Sequence, residues 1–269
     1  LSGKVVEEDS KNRFSNRATY YAKSRPRYPE ALLNFMENEL SLTKASVVAD
    51  IGSGTGILSG LFLKHGNSVF GIEPNREMRK TAEEILAAYP NFKSKNGTAE
   101  ATTLPTASVD FITAAQSFHW FDPTKAREEF LRIMKPQGWV LLIWNTRKNS
   151  RGFMEAYEQL VSEYVVRPRF RRTAKDKVGE QGLTNFLGKY KTKTFSNSQV
   201  LDFDGLSGRL LSSSYVPLPG ESGYSSMLDG LRKLFDSYQE GGAVLLEYDT
   251  ETYYAQLTRW PKRMKIVGG

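Results

Sequence analysis

Cysteine is absent from the 269 residues, and histidine occurs only at His65 and His119. The first absence excludes disulfides and thiolate metal sites, and the second leaves too few imidazoles for a histidine-rich metal centre. No metal is therefore expected. No apolar run approaches the roughly 18–20 residues that a membrane helix needs. The opening stretch, Leu1 to Arg17, is polar and charged, unlike a secretory signal. A cytoplasmic protein with no membrane attachment is the expectation. Repeats and low-complexity tracts are also missing.

What is present has the balance of a folded domain. Apolar residues make up 39% and charged residues 25% of the chain, and the length suits one large domain or a core with a smaller cap. Lys and Arg number 37 against 30 Asp and Glu, a net charge of +7. Such a surplus fits nucleic acid, acidic substrates or simply a solvated surface. Its concentrated run, Arg167-Pro-Arg-Phe-Arg-Arg172 with Lys175 and Lys177 beyond it, reads as a basic patch or an exposed loop after a helix.

The stretch Val47-Val-Ala-Asp-Ile-Gly-Ser-Gly-Thr-Gly-Ile-Leu58 is the most informative. An apolar run ends in Asp50 and Ile51. Gly52, Gly54 and Gly56 follow, and then apolar residues recur at helical spacing. This reads as a buried strand, a glycine turn and a helix start. The glycines let a ligand approach the backbone, and the helix N-terminus presents unpaired N–H groups to it.

Around that motif, strands and helices alternate. A helix is expected over Glu30 to Leu40 behind Pro29. The helix after the glycine turn should stop at Gly66. A second strand, Ser68 to Ile72, leads through Glu73-Pro74 to Asn75, which can cap a helix over Arg76 to Ala88. A weak third strand covers Phe92 to Asn96, a fourth Ser108 to Ala115, and a fifth Trp139 to Trp144. A helix starts at Asp122-Pro123 and reaches Met134, with Lys135 to Gly138 as a turn. Tyr190 to Ser196 and Ala243 to Leu257 read as strands. Arg151 to Val166, Ser198 to Leu211 and Tyr224 to Tyr238 read as helices. The expectation is an α/β, doubly wound, Rossmann-like fold. Its seven-stranded sheet is mostly parallel, with an antiparallel last strand and a helical cap inserted between late strands. Residues 1–29 form an arm and lid, 30–145 the cofactor-binding core, and 146–269 the cap and closing strands. A ligand in such a fold sits beyond the carboxyl ends of the strands.

The glycine spacing discriminates among cofactors. A dinucleotide fold prefers G-x-G-x-x-G/A, whereas Ile57 stands at the position of that third glycine. No lysine of a phosphate-binding loop follows. Asp50, before the first glycine, suits a cationic or hydroxyl-bearing ligand better than a pyrophosphate. Glu73, at the end of the second strand, can accept both hydroxyls of a ribose.

Asp50-x-Gly52-x-Gly54-x-Gly56, Glu73 and Gly97-Thr-Ala-Glu100 resemble successive motifs of the class I S-adenosylmethionine-dependent methyltransferases. Leu104-Pro105 with Ser108-Val-Asp-Phe111, and Arg132-Ile-Met-Lys-Pro-Gln-Gly138, resemble runs of the type 11 group. Tyr21 to Pro29 and Gln116-Ser-Phe-His-Trp-Phe-Asp122 resemble the trans-aconitate methyltransferase-like branch, whose members act on small molecules. The likeness spans about residues 20–145 and loosens beyond.

The resemblance implies S-adenosylmethionine as cofactor and S-adenosylhomocysteine as product. Gly52, Gly54 and Gly56 would pass close to the methionine moiety, with Asp50 anchoring that edge. Glu73 would bind the ribose and Pro74 pack near the adenine. Thr98, Ala99 and Glu100 would border the adenine, although Thr98 replaces the family's Asp. Gln116 would lie beside the methyl group. His119 is the candidate for polarising or positioning substrate, its alternative being a structural hydrogen bond while Trp120 and Phe121 pack. Tyr20, Tyr21, Arg25 and Tyr28, with Trp120, could form a lid over cofactor and acceptor, Arg25 meeting a carboxylate. The acceptor is expected to be a small molecule, a carboxylate among the candidates. RNA or protein methylation through the basic 167–177 run, and a regulatory module that binds the cofactor without turnover, stand as alternatives.

Overall fold

The computed structural model describes residues 24–166, 174–213 and 215–258. Among them, α1 (Glu30–Leu40), β1 (Val47–Ile51), α2 (Ile57–His65), β2 (Ser68–Ile72), α3 (Arg76–Ile85), β3 (Phe92–Lys95) and β4 (Val109–Ala115) follow the expected alternation. A short 3-10 turn (Phe118–Trp120), α4 (Pro123–Ile133), β5 (Met134–Arg147), α5 (Phe153–Glu163), α6 (Ala174–Leu187), β6 (Lys191–Leu201), α7 (Phe203–Leu211), α8 (Tyr224–Tyr238) and β7 (Val244–Ala255) complete it.

The strands form one seven-stranded sheet in the order β3-β2-β1-β4-β5-β7-β6. Strands β1 to β5 pair in parallel, and β7 runs antiparallel to both β5 and β6. Chain order reverses between β1 and β4, and the glycine turn leaves β1 at that point. Side chains alternate across the sheet, so each face buries its own set. Leu32, Phe35 and Met36 of α1 and Leu58 and Phe62 of α2 cover Val48, Val69, Phe111 and Leu141. On the other face, Ala126, Phe130 and Ile133 of α4 and Leu183 and Phe186 of α6 cover Ile51, Ile112, Val140 and Leu142. Trp144 is 2% exposed and packs edge-on to Phe118 and Tyr253.

Local signals explain the element ends. Asn75 caps α3 by accepting from the Met78 N–H. Asp122 caps α4 with Pro123 in its first turn, and Gly66 closes α2 in the left-handed region. Several boundaries differ from expectation. The turn at Lys135–Gly138 lies inside β5 as an irregularity. Pairing passes from Val109↔Met134 to Phe111↔Trp139, and Gln137 takes a positive φ of 65°. Residues 198–201 belong to β6 rather than to a helix, because their backbone pairs with Val244–Glu247 of β7. The helix begins only after Asp202, whose side chain accepts from the Gly205 N–H. Helix α3 stops at Ile85, short of Ala88. Residues 174–187 form a helix interrupted at Gly179 (φ 63°), where only the tail of a basic loop was expected. The basic run over 167–172 lies outside the described residues, as do Tyr20 and Tyr21.

Residues 146–242 contribute helices to two places. Helix α6 joins the face built on α4. Helices α5, α7 and α8 instead share an apolar cluster with the start of β7, through Met154, Tyr157, Leu206, Leu210, Leu231 and Leu246.

Asn67 ties several connections together. It is fully buried, its amide donates to the Thr43 and Ser46 carbonyls, and its own carbonyl accepts from the Asn91 side chain. Its side-chain oxygen also meets Nδ1 of His65, whose Nε2 meets Glu37, so His65 is structural. Asn67→Ala strands two buried carbonyls and should lower unfolding free energy by about 2–3 kcal/mol in denaturant titrations. A loss below about 0.5 kcal/mol would contradict this role.

Candidate active site

Each glycine of the turn has a positive φ: 67° at Gly52, 56° at Gly54 and 80° at Gly56. They need glycine for different reasons. A Cβ on Gly52 would lie 2.5 Å from Cβ of Ser117, and one on Gly56 would lie 2.6 Å from Cδ1 of Leu86. A Cβ on Gly54 would meet nothing within 4 Å. Gly52 and Gly56 therefore serve packing, while Gly54 turns bare backbone toward open space. Gly52 N–H and Ser53 N–H both donate to the Ile72 carbonyl, which fastens the turn to the end of β2.

Two buried carboxylates fix this cradle. Asp50 is 1% exposed and accepts from Ser59 Oγ at 2.7 Å and Thr113 Oγ1 at 3.2 Å. Both of its oxygens are thus engaged inside the protein, joining β1 to α2 and β4. Burial pushes its carboxyl up to about 6, and the hydrogen bonds from Ser59 and Thr113 limit the rise. Glu73 accepts from the Gly54 N–H at 3.0 Å on one oxygen and from the Asn75 N–H at 2.8 Å on the other. Burial also raises its carboxyl, opposed by those two N–H groups and by the charge of Arg79. Each Glu73 oxygen keeps a second lone pair for a ligand hydroxyl. Pro74, half-buried, follows at once.

The remaining expected cofactor residues gather at the neighbouring strand ends. Thr98 and Ala101 close a tight turn by reciprocal backbone bonds. Ala99 is buried at its tip, and Glu100 accepts from the Asp122 N–H at 2.8 Å. Gln116 follows β4 with a positive φ of 58°, a strain of about 1 kcal/mol for a residue with a Cβ. Its N–H donates to the Ile143 carbonyl and its side-chain amide to the Asn145 carbonyl at 2.9 Å, which holds the strained backbone. Ser117 was not anticipated. It is buried, donates to the Ile51 carbonyl at 2.7 Å and presses on Gly52.

The arm over 24–29 lies across the carboxyl edge of the sheet. The Arg27 carbonyl accepts from Asn197 at 2.7 Å and from Asn145 at 3.5 Å, and Gln199 donates to the Ser24 carbonyl. Arg25 donates to the Ser212 carbonyl at 2.8 Å, and Tyr28 packs beside α1. His119 sits in the 3-10 turn with its ring 4.7 Å from that of Trp120, which is 40% exposed. It lines a cleft of about 630 Å³ between that turn, α4 and α6, shared with Phe121, Arg127, Glu128 and Asn185. Asn145 and Arg147 were also missed. The signal was present, since a polar triplet Asn145-Thr-Arg147 follows directly on the apolar run Trp139 to Trp144. The described residues hold no cluster of three or more His, Asp or Glu fit for a metal.

Residues 49–142 match the family described as a methyltransferase domain. That span carries an S-adenosylmethionine-dependent methyltransferase domain. The matched span begins in β1 and ends in β5, and so encloses the glycine turn, Glu73 and Gln116. The methyltransferase is 25% identical to an uncharacterized methyltransferase-like protein of Schizosaccharomyces pombe, over 94% of this chain and 98% of that one. An uncharacterized methyltransferase of Mycobacterium tuberculosis is 32% identical over 55% of this chain, and the alignment spans only 58% of that relative. Among solved structures, a protein of Anaeromyxobacter dehalogenans assigned as a type II methyltransferase superposes with a TM-score of 0.62 at 18% identity, covering 86% of this chain and 97% of that one. YcgJ of Bacillus subtilis superposes with a TM-score of 0.52 at 17% identity, covering 86% and 100%. At these identities the structures establish the fold alone. No helix among the described residues is long and apolar enough to cross a membrane.

The methyltransferase holds the proton on Asp50 to higher pH than the unfolded chain does. That stabilisation is complete below the unfolded value of 3.8 and is lost as pH rises through about 6. Two pKa units correspond to about 3 kcal/mol. Asp50→Asn carries no charge, so its stability relative to the parent should rise by up to about 3 kcal/mol between acidic and neutral pH. Denaturant titrations at both ends that show no relative gain would sink this assignment.

Proposed function

We propose that the protein transfers the methyl group of S-adenosylmethionine to a small-molecule acceptor held beside the arm and cap, beyond the carboxyl ends of β4 and β5. The observation that carries this reading is the pairing of an open Gly54 with a Glu73 carboxylate that spans the turn and still has lone pairs to offer. The backbone at Gly54 admits the amino-acid part of the cofactor, and Glu73 receives the ribose hydroxyls. Thr98, Ala99 and Glu100 border the base, with Pro74 alongside. Asp50 holds the turn in place through Ser59 and Thr113 and so anchors the methionine edge of the site.

When bound, the cofactor supplies a methyl group already activated on a sulfonium sulfur, so the protein contributes orientation and exclusion of water. Gln116 fixes one wall by its bond to the Asn145 carbonyl. The arm closes a second wall through Arg27 and Arg25. A site enclosed in this way favours a small acceptor over a polymer. His119 carries into this proposal as an acceptor-positioning residue on the wall of the adjoining cleft. The trans-aconitate-like branch rests on the arm and on the His119-Trp-Phe121 segment.

Calorimetry with S-adenosylhomocysteine tests the cofactor site. Gly54→Ala should fold with a loss of about 1 kcal/mol, from its positive φ, and bind the product at least tenfold more weakly. A folded variant with unchanged affinity, or a parent protein that binds a nicotinamide cofactor instead, would overturn the assignment. His119→Ala should lower turnover and leave product affinity unchanged, and undiminished turnover would return the ring to packing.

A further inference from the structure

A buried arginine, Arg209, and a largely covered one, Arg147, lie under the cap, with the Glu158 carboxylate beside the second. Arg147 ends β5 and pairs with Glu158 of α5. It also donates to the Tyr215 hydroxyl at 3.1 Å, and its guanidinium carbon lies 5.5 Å from the Tyr157 ring centre. Arg209 of α7 is 5% exposed and donates to the Tyr248 hydroxyl at 3.0 Å and to Ser212 and Ser213 Oγ at 3.3 Å each. Arg209 is thus closed to water with no carboxylate among its bonds to the described residues, while the Arg147–Glu158 pair beside it is 17% and 29% exposed at the side chains; an uncompensated charge costs most where it is buried.

Two donors in this cluster have nothing to bond. Nη1 of Arg147 and the hydroxyl of Tyr157 are buried without a hydrogen-bond partner among the described residues. Tyr157 is fully buried. Buried polar atoms are nearly always paired, with protein or with ordered water, and beside Arg209, which has no carboxylate among its bonds, an anion is the outside partner that also balances charge. Burial alone raises the Tyr215 phenol, yet the charges of Arg147 and Arg209 outweigh it and bring the group down to about 8. Tyr157 moves the other way, up to about 12, chiefly through burial.

The cluster adjoins the proposed methyl-transfer site. Asn145, whose carbonyl holds Gln116, and Arg147 lie two residues apart on β5 and so on the same face of the sheet. Tyr248 and Thr250 of β7 pair with Arg147 and Asn145, which places them on that face too. The Tyr248 hydroxyl donates to Gln199, which donates in turn to the arm at Ser24. Arg25 of the arm reaches the Ser212 carbonyl. One polar network therefore runs from the end of β4 to the two arginines, with the arm across it.

We infer that Arg147 and Tyr157, backed by Arg209 and Tyr215, form the pocket that seats a carboxylate of the methyl acceptor. The inference rests on the proposed methyl transfer for the word acceptor, and on the cluster itself for the anion. Two unpaired donors match the two oxygens of a carboxylate better than the three terminal oxygens of a phosphate. A bound carboxylate would also balance the second guanidinium. Arg147 and Tyr157 are thereby binding residues, whereas Arg209 acts through Tyr248 and the serines as a positioning residue.

The test uses the full chain, alone and saturated with S-adenosylhomocysteine, titrated calorimetrically at constant ionic strength. The probes are succinate, benzoate, their methyl esters and inorganic phosphate. At least one of the carboxylates should bind, and the esters and phosphate should bind weakly or not at all. Arg147→Lys keeps the charge but loses the forked donor, and it should weaken carboxylate binding about ten- to hundredfold. Tyr157→Phe removes only an unpaired hydroxyl, so it should fold as well as the parent and lose about tenfold in carboxylate affinity. Carboxylate binding should also move ionisation of Tyr215, followed by phenolate absorbance, to higher pH. Failure of both carboxylates to bind a chain that does bind S-adenosylhomocysteine would overturn the pocket. So would equal binding of esters or phosphate, or full affinity in folded Tyr157→Phe. Carboxylate binding that depends on Arg147 in a chain with no affinity for S-adenosylhomocysteine would keep the pocket and reject the methyl-donor reading.

Discussion

A carboxylate taken out of water at the end of β1 constrains everything above it. Left unpaired, such a group would cost several kcal/mol. The hydroxyls of Ser59 and Thr113 offset part of that cost at Asp50. Those bonds set the first turn of α2 against β1 and β4. The glycine turn, held between β1 and α2, has little freedom left. Glu73 then reaches across from β2 to the Gly54 N–H and completes a rigid loop of contacts. The cradle is therefore shaped before a ligand arrives, and binding need not supply the entropy of ordering it.

The same logic holds lower in the sheet, where the motifs that resembled family signatures turn out to be braces. Arg132 forks onto Glu129 and donates to the Leu104 carbonyl, while Glu129 also receives the Thr102 N–H and hydroxyl. Asp110 accepts from both Lys135 and the Val47 N–H. A Cβ on Gly138 would lie 2.5 Å from Cγ of Met134 and 2.8 Å from the Asp110 carbonyl, so only glycine lets β5 approach β4 there. None of these residues lies at the cradle, yet each fixes a strand that ends at it.

What the sequence made legible follows from how local each determinant is. Alternating apolar runs, the Asn75 and Asp122 caps and the Gly66 stop all act within a few residues, and each is where it was expected. The acid at the end of β1 was legible as an acid. Its role was not, because Thr113 lies 63 residues away and reaches it only through the β1–β4 pairing. Helix α6 was missed because Gly179 and Gly182 weaken its local signal. It is held by Leu183, Phe186 and Leu187 against the body of the domain. Arg147 and Arg209 stand far apart in the chain, and no spacing rule joins them. They become neighbours only when α5 and α7 fold over the sheet.

Strands β6 and β7 continue to pair after β5 has ended at Arg147↔Tyr248, from Ser198↔Glu247 to Leu201↔Val244. This overhang is the ledge on which α5, α7 and α8 assemble. Their cluster shares no buried residue with the two that flank the sheet. Inheritance can act on the two parts separately. Under the proposed function, a lineage that rebuilt the ledge and its helices would change what is methylated and leave the donor's seat intact. Mutations at Asp50 or Gly56 reach every descendant activity at once.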